Sequence, residues 1–333
     1  MVLWCALFFA IGAVGTWGAR AYALQRNLID QPGERRSHDT ATPRGGGIAI
    51  VLALLIAAVA LAWRDASAAP LLIAFGIGLL IVAGIGWWDD HRSLPASWRL
   101  AVHALAAVLL AWATLVAFGD GWLAAAAFVA AMVLTNVWNF MDGIDGLAAS
   151  QAALVASAFA VALPGSAWGL MGWALVAASL GFLPFNFPRA RIFLGDVGSG
   201  ALGFALAALA IVAAGGQDQA APLVLLPLSA FVIDAGLTLG RRMLRGERWW
   251  MAHAQHAYQA CARKQRSHVA VTIGYGIWTV LAVLLAARLQ SQPLFFMLAC
   301  VLAWYMSGAF LWWWLQRSSA DSECVDQTEW RSQ

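Results

Sequence analysis

Between Asn136 and Leu147 the chain reads Asn-Val-Trp-Asn-Phe-Met-Asp-Gly-Ile-Asp-Gly-Leu, so a long apolar run ends in two amides and two carboxylates. Hydrocarbon does not tolerate such a cluster, and ionisable groups at the end of an apolar segment are functional candidates by default. Asn136 and Asn139 are three residues apart and share one face of a helix; Asp142 and Asp145 continue that stripe if the helix persists. Gly143 and Gly146 loosen the last turn and let backbone groups approach a ligand. Two other segments carry acids in the same kind of place. Asp89 and Asp90 close an apolar run ending Gly-Trp-Trp, and Phe193-Leu-Gly-Asp-Val-Gly-Ser199 sets Asp196 between two glycines just before another apolar run. Adjacent carboxylates are costly unless they share a cation or a proton, which suits metal-phosphate chemistry. Asp196 beside backbone NH groups at a helix start could ligate a hard cation and hold phosphate, with a capping Asp at a bend as the plainer explanation.

The elements that position these groups follow from composition. The 333 residues are 62% hydrophobic and only 11% charged, with mean hydropathy +0.73 and net charge +3. Such a chain is a polytopic membrane protein, all-α, with no room for a sizeable soluble domain. Apolar runs predict about eleven membrane-spanning helices: 1–23, 45–63, 70–88, 98–118, 122–140, 147–163, 167–185, 197–214, 222–240, 269–287 and 294–315. Residues 1–315 then form one integral membrane domain and 316–333 a polar tail. The first run has no basic residue before it and is read as a span that stays rather than a cleaved leader.

Connections alternate between short, nearly chargeless ones and longer ones holding Arg26, Arg35, Arg36 and Arg44, then Arg92, then Arg189 and Arg191, then the Arg241–His268 segment. The positive-inside rule places the second set in the cytoplasm, with the N-terminus outside and the C-terminus cytoplasmic. Every unusual motif falls on that set: Asp30–His38, Pro43–Gly47, Asp89-Asp90, the Asn136–Leu147 stretch, Asn186–Ser199, and Ala252-His-Ala-Gln-His-Ala-Tyr-Gln259. The expectation is one cytoplasmic site built from helix ends.

Plainer explanations weigh differently on each motif. Arg44 with the three glycines after it permits a phosphate cradle, although a glycine run alone is weak. Most arginines of the last large loop are accounted for by topology. His253 and His256, three apart among small residues, could contact phosphate or sugar, whereas His103 within a span reads as a satisfied packing residue and the many tryptophans as interfacial anchors. Cys5, Cys261, Cys300 and Cys324 have neither zinc nor disulfide spacing. No internal repeat is seen. A secondary transporter would need repeats and a midplane site. A prenyltransferase would need two Asp-rich motifs, which the Asn-x-x-Asn and Gly-Asp-x-Gly-Ser patterns do not match.

Taken together, Asp89-Asp90, Asn136-x-x-Asn139-x-x-Asp142-Gly-x-Asp145-Gly-Leu, Phe193-Leu-Gly-Asp196-x-Gly-Ser199 and the late basic loop with His resemble the polyprenyl-phosphate N-acetylhexosamine-1-phosphate transferases, glycosyltransferase family 4. The resemblance runs from Asp30 to about Gln259, and the histidine segment looks most like the WbpL/WecA-type O-antigen initiating enzymes. It implies transfer of an N-acetylamino-sugar 1-phosphate from a UDP-sugar to undecaprenyl phosphate, with release of UMP, at the bacterial inner membrane. It implies Mg²⁺, or Mn²⁺ in its place, held by Asn139 and Asp196, with Asp89 and Asp90 near the lipid phosphate as catalytic groups. Asp145 falls where the family contacts uracil, with Asp142 nearby, and Arg99 where relatives carry a basic residue near the phosphates. Arg44, His253 and His256 complete the expected substrate-binding set, with their alignment to other branches left open. No nucleic-acid partner is expected, and a homodimer is compatible with the sequence.

Overall fold

The computed structural model describes residues 1–31, 40–216, 221–248, 253–265 and 267–331, with backbone alone beyond Arg317. Arg35, Arg36 and His38 of the first loop, Ala252 and Arg266 lie outside the described residues. In chain order the helices are α1 (Val2–Gln25), α2 (Ile48–Arg64), α3 (Ala69–His91), α4 (Ala96–Phe118), α5 (Gly121–Phe140), α6 (Leu147–Ala162), α7 (Ala167–Asn186), α8 (Asp196–Gly215), α9 (Leu225–Leu244, preceded by a short 3₁₀ turn), α10 (Ala257–Gln265), α11 (His268–Leu289) and α12 (Leu294–Arg331). One antiparallel pair, β1 (Ile29–Asp30) with β2 (Thr42–Pro43), closes the base of the first loop.

Nine helices among the described residues are long and apolar enough to cross a membrane, and the two shorter apolar ones, α2 and α6, have 17 and 16 residues. These correspond one for one to the eleven expected segments. Two differences have local causes. The tail expected from Gln316 continues as helix to Arg331, because no Gly or Pro interrupts residues 316–331. Within the Arg241–His268 segment, α9 runs on to Leu244 and Ala257-Tyr-Gln-Ala-Cys-Ala-Arg-Lys-Gln265, rich in good helix formers, makes the additional helix α10.

The bundle is organised around α8, which is buried along nearly its whole length. In a bilayer, apolar side chains gain little by leaving lipid, so helices associate where small residues let backbones meet. Here Gly203 on α8 rests on the backbone of Leu134 and Thr135 in α5, Gly86 on α3 rests on the backbone of Asp196 and Val197, and Gly47 before α2 faces Gly198. A side chain at any of these points would collide with main chain rather than with a movable group. The start of α8 is thus wedged between the end of α3, the start of α2 and the last turns of α5. That is where the acid-bearing segments meet.

On the flank, α1 packs on α7 through Gly12 against Ala178 and Gly181 against Phe9 and Ala13. Gly12→Leu is expected to separate the two helices and cost roughly 1–3 kcal/mol, the range for overpacking a filled interface, while Gly18→Leu, with open space around its Cβ position, is neutral. Thermal melts of the two variants in the same micelle check the contrast.

Candidate active site

Four chain segments meet at the start of α8. Asp196, its first residue, receives the Asn139 amide at 2.8 Å on Oδ1 and the Arg99 guanidinium at 3.2 Å on Oδ2. The same Arg99 nitrogen lies 2.8 Å from Asp89 Oδ2, and the Asn139 amide also reaches Ser199 Oγ at 3.0 Å. Asp89, in turn, accepts from the Leu94 NH at 2.5 Å, and Arg99 links it to Asp196. Residues from the end of α3, the first turn of α4, the end of α5 and the start of α8 therefore form one constellation.

The adjacent acid Asp90 is used differently. Its Oδ1 accepts the Asp196 NH and its Oδ2 the Val197 NH, both at 3.1 Å, so it caps α8 from another helix. Arg44 backs it, donating to the Asp90 carbonyl and holding Nε 3.9 Å from Oδ1. Gly195, at φ +75°, is what lets this happen: a Cβ there would stand 2.6 Å from Asp90 Oδ2. Asp90 is 3% exposed, and Arg44 serves it rather than an open loop.

The helical stripe does not run on through Asp145, since α5 ends at Phe140 and residues 141–146 form a turn that Gly146, at φ +74°, redirects into α6. Asn186 pins that turn to the 187–195 loop, accepting the Gly146 NH at 2.9 Å and donating to the Ile192 carbonyl at 2.9 Å. Asp145 braces the same junction: its Oδ2 accepts the Ala190 NH at 3.2 Å and lies 3.3 Å from His268 Nδ1, while Thr272 donates to its carbonyl at 2.9 Å. Asp142 sits partly buried in the turn. Burial first, and then the negative charges of Asp196, Asp90 and Asp145, hold its carboxyl well above the ordinary carboxylate range.

His256 is buried and packs its ring between Phe140 and Tyr258, at centroid distances of 6.3 and 5.7 Å. His253 lies 4.9 Å from the His256 ring, and burial, with His256 and Arg242 nearby, lowers its pKa to about 4. No hydrogen bond or ion pair among the described residues joins either histidine to Asp89, Asn139 or Asp196. They approach the site through Phe140, the neighbour of Asn139. His103, expected to be satisfied, keeps a buried Nδ1 without a hydrogen-bond partner and lines a cavity with Asn136. Asn136 itself donates to the Met132 carbonyl at 2.7 Å.

That cavity, of about 420 Å³, is mostly apolar, with Ile85, Leu100, Met132, Val133 and Leu239 among its walls. Arg99, Asn139 and Asp196 stand at its polar end. One charged constellation and one apolar chamber therefore share a boundary.

Among the described residues no three His, Cys, Asp or Glu side chains already converge as a cage for a metal. A hard cation that keeps several waters and takes one or two carboxylates needs no such cage. The donor set present is compatible with one: the Asp89 and Asp196 carboxylates share a single cationic partner, Arg99, and the Asp142 carboxyl stands near enough to feel the charge of Asp196. Asn139, turned over about its amide, offers Asp196 a neighbouring carbonyl oxygen.

A family profile described as glycosyl transferase family 4 matches residues 71–214, which span this constellation from α3 to α8. The decaprenyl-phosphate N-acetylglucosaminephosphotransferase of Mycobacterium leprae is 31% identical over 314 residues, covering 81% of this chain and 78% of the relative. The chain belongs to glycosyl transferase family 4. Other members similar to it are a probable undecaprenyl-phosphate N-acetylglucosaminyl 1-phosphate transferase of Bacillus subtilis, 32% identical over 57% of this chain and 56% of the relative, and a phospho-N-acetylmuramoyl-pentapeptide-transferase of a Synechococcus species, 32% identical over 56% and 60%. By name all three move a phosphorylated sugar, and two name a polyprenyl phosphate; none is a transporter or a prenyltransferase.

Sequence reasoning passed over Asp234, which lies inside the apolar run of α9 and is 2% exposed. An acid in a span is itself the signal that could have found it. Asn186 and Tyr258 fall inside motifs the sequence singled out and His268 bounds the last large loop, but what each does was not legible, because each acts through a neighbour distant in sequence.

In this family 4 protein, Asp142 has a folded-state pKa above its unfolded value, so the folded protein is penalised increasingly as pH rises above the unfolded pKa. Asp142→Asn removes that penalty. The melting temperature of the variant is expected to exceed the wild type's by more at pH 8 than at pH 5, while sugar-phosphate transfer falls. Melts at the two pH values, with one transfer assay, check both parts.

Proposed function

We propose that this protein transfers an N-acetylamino-sugar 1-phosphate from a UDP-sugar to undecaprenyl phosphate, releasing UMP and forming the lipid-linked first sugar of a surface polysaccharide such as an O-antigen. The observation that carries the reading is the shared boundary between the Arg99–Asp196–Asn139 constellation and the apolar chamber. An acceptor with a long hydrocarbon tail and a phosphate head needs both, one on each side of the reacting atoms. The names of the relatives support a polyprenyl phosphate carrier and an N-acetylated sugar.

The acceptor is largely a dianion at neutral pH, since the second pKa of a phosphate monoester is about 6. A strong base is therefore unnecessary, and the site's task is to bring two polyanions together and align them. An acceptor oxygen attacks the β-phosphorus of the donor; the bond from that phosphorus to the bridging oxygen breaks, and its electron pair leaves with UMP. Arg99 supplies donors to the phosphates, and Asp89 orients Arg99 and accepts a residual proton from the acceptor. Asp90 acts one step back, by holding α8 so that Asp196 faces Asn139. Asn139 and Asp196 would hold Mg²⁺, or Mn²⁺, which when bound neutralises charge on the donor's pyrophosphate. The arginines at the site end of the bundle, Arg44, Arg92, Arg189, Arg191, Arg241 and Arg242, support a cytoplasmic site in a bacterial inner membrane.

Membranes containing the protein, incubated with radiolabelled UDP-N-acetyl sugar, Mg²⁺ and undecaprenyl phosphate, are expected to release UMP and to yield lipid-extractable label. Asp196→Asn and Asn139→Ala should each lower transfer by roughly a hundredfold or more, the scale of losing one organised electrostatic group, with the folded protein still recovered from the membrane. Substantial transfer by either variant would undo the metal assignment. A panel of UDP-N-acetyl sugars, 6-deoxy ones included, reads the donor preference, and a labelled phospho-enzyme trapped without lipid acceptor would overturn direct attack.

A further inference from the structure

Asp234 is a carboxylate buried within a membrane-spanning helix, and every neighbour that reaches it is a donor. Its Oδ1 accepts the Ala257 NH at 2.8 Å and the Thr238 hydroxyl at 3.2 Å, and its Oδ2 accepts the Tyr258 NH at 3.1 Å and the Tyr275 hydroxyl at 2.7 Å. His256 Nδ1 stands 3.8 Å from Oδ1. The two NH groups belong to the first residues of α10, so Asp234 caps that helix from α9 and ties it to α11 through Tyr275. This repeats, at a second helix start, what Asp90 does for α8.

What the capped helix carries gives the arrangement its consequence. Tyr258, fully buried, donates from its hydroxyl to the Phe140 carbonyl at 3.0 Å and lies so close to Gly143 that no Cβ would fit there. It therefore sits under the turn that presents Asp142. The residue just before α10 is His256, with the His253 ring beside it. The apolar chamber beside Arg99 is lined from α3, α4, α5, α8 and α9, and among the described residues its wall includes none of the 141–146 turn or of residues 253–258, so this turn, the two histidines and Tyr258 stand apart from the place proposed for the acceptor's tail.

We propose that Asp234 is a positioning residue for the nucleotide-sugar donor: by gripping the start of α10 it sets Tyr258 and the His253–His256 pair against the 141–146 turn, and so shapes the donor's wall of the site. This inference rests on the transferase reading above. Asp234 touches no substrate; it acts through α10. Asp234→Asn keeps the shape, but its amide nitrogen meets a backbone NH, so one of the two caps is lost.

The full-length protein in detergent, assayed with UDP-N-acetylglucosamine and undecaprenyl phosphate, tests it. For Asp234→Asn the donor KM is expected to rise about tenfold, the scale of a hydrogen bond to a charged group, with the acceptor KM unchanged and kcat altered much less. Trypsin should cut faster at Arg263 and Lys264 and at unchanged rates elsewhere. Tyr258→Phe should raise the donor KM without faster cleavage, and it decides the matter if Asp234→Asn is recovered unfolded. Unchanged kinetics, a fall in kcat with both KM values unmoved, or equal rises in the two KM values would overturn the proposal. If wild-type protein releases no UMP with any UDP-N-acetyl sugar, the transferase reading fails instead, and the trypsin comparison still reports whether Asp234 holds α10.

Discussion

The structure depends on a mutual compensation between buried carboxylates and the starts of helices that belong to other segments. The first NH groups of a helix have no partners within it, and in a membrane protein no bulk water reaches them. A carboxylate away from water is equally costly alone. Asp90 and α8, and again Asp234 and α10, cancel these deficits pairwise: each oxygen takes one NH, and the positive end of the helix dipole faces the negative charge. A side-chain cap in water is worth about 0.5–2 kcal/mol; in a water-poor interior, leaving either partner unmet costs more, so these pairings also choose which helix ends come together.

From that constraint the site follows. Once α8 is capped by the end of α3, its first side chain, Asp196, faces the end of α5 and the first turn of α4, where Asn139 and Arg99 wait. Glycines at 47, 86, 198 and 203 let the backbones close to contact, so the side chains that remain between them are the polar ones. Arg99 bridges Asp89 and Asp196, while burial and the charges of Asp196, Asp90 and Asp145 hold the Asp142 carboxyl above the ordinary range.

Several of the residues singled out in the sequence also hold neighbouring segments in place. Asp145, Asn186 and His268 lock the 141–146 turn, the 187–195 loop and the start of α11 together, while Arg44 supports Asp90. These contacts keep a loop-built site as rigid as its helices.

The sequence by itself determined the membrane class, the eleven apolar segments and the acid-bearing helix ends, because hydropathy is local and lipid imposes it span by span. It determined the family as well, through motifs a few residues long. Only the tertiary structure decided that Asp89 meets Arg99 and Asp196 while its neighbour Asp90 turns to cap a helix, since adjacent residues on a helix point about 100° apart and what they meet depends on packing. Likewise α10, Tyr258 and the purpose of Asp234 could not be read along the chain. Their partners lie 23 to 118 residues away, and a contact across that distance exists only once the helices between have packed.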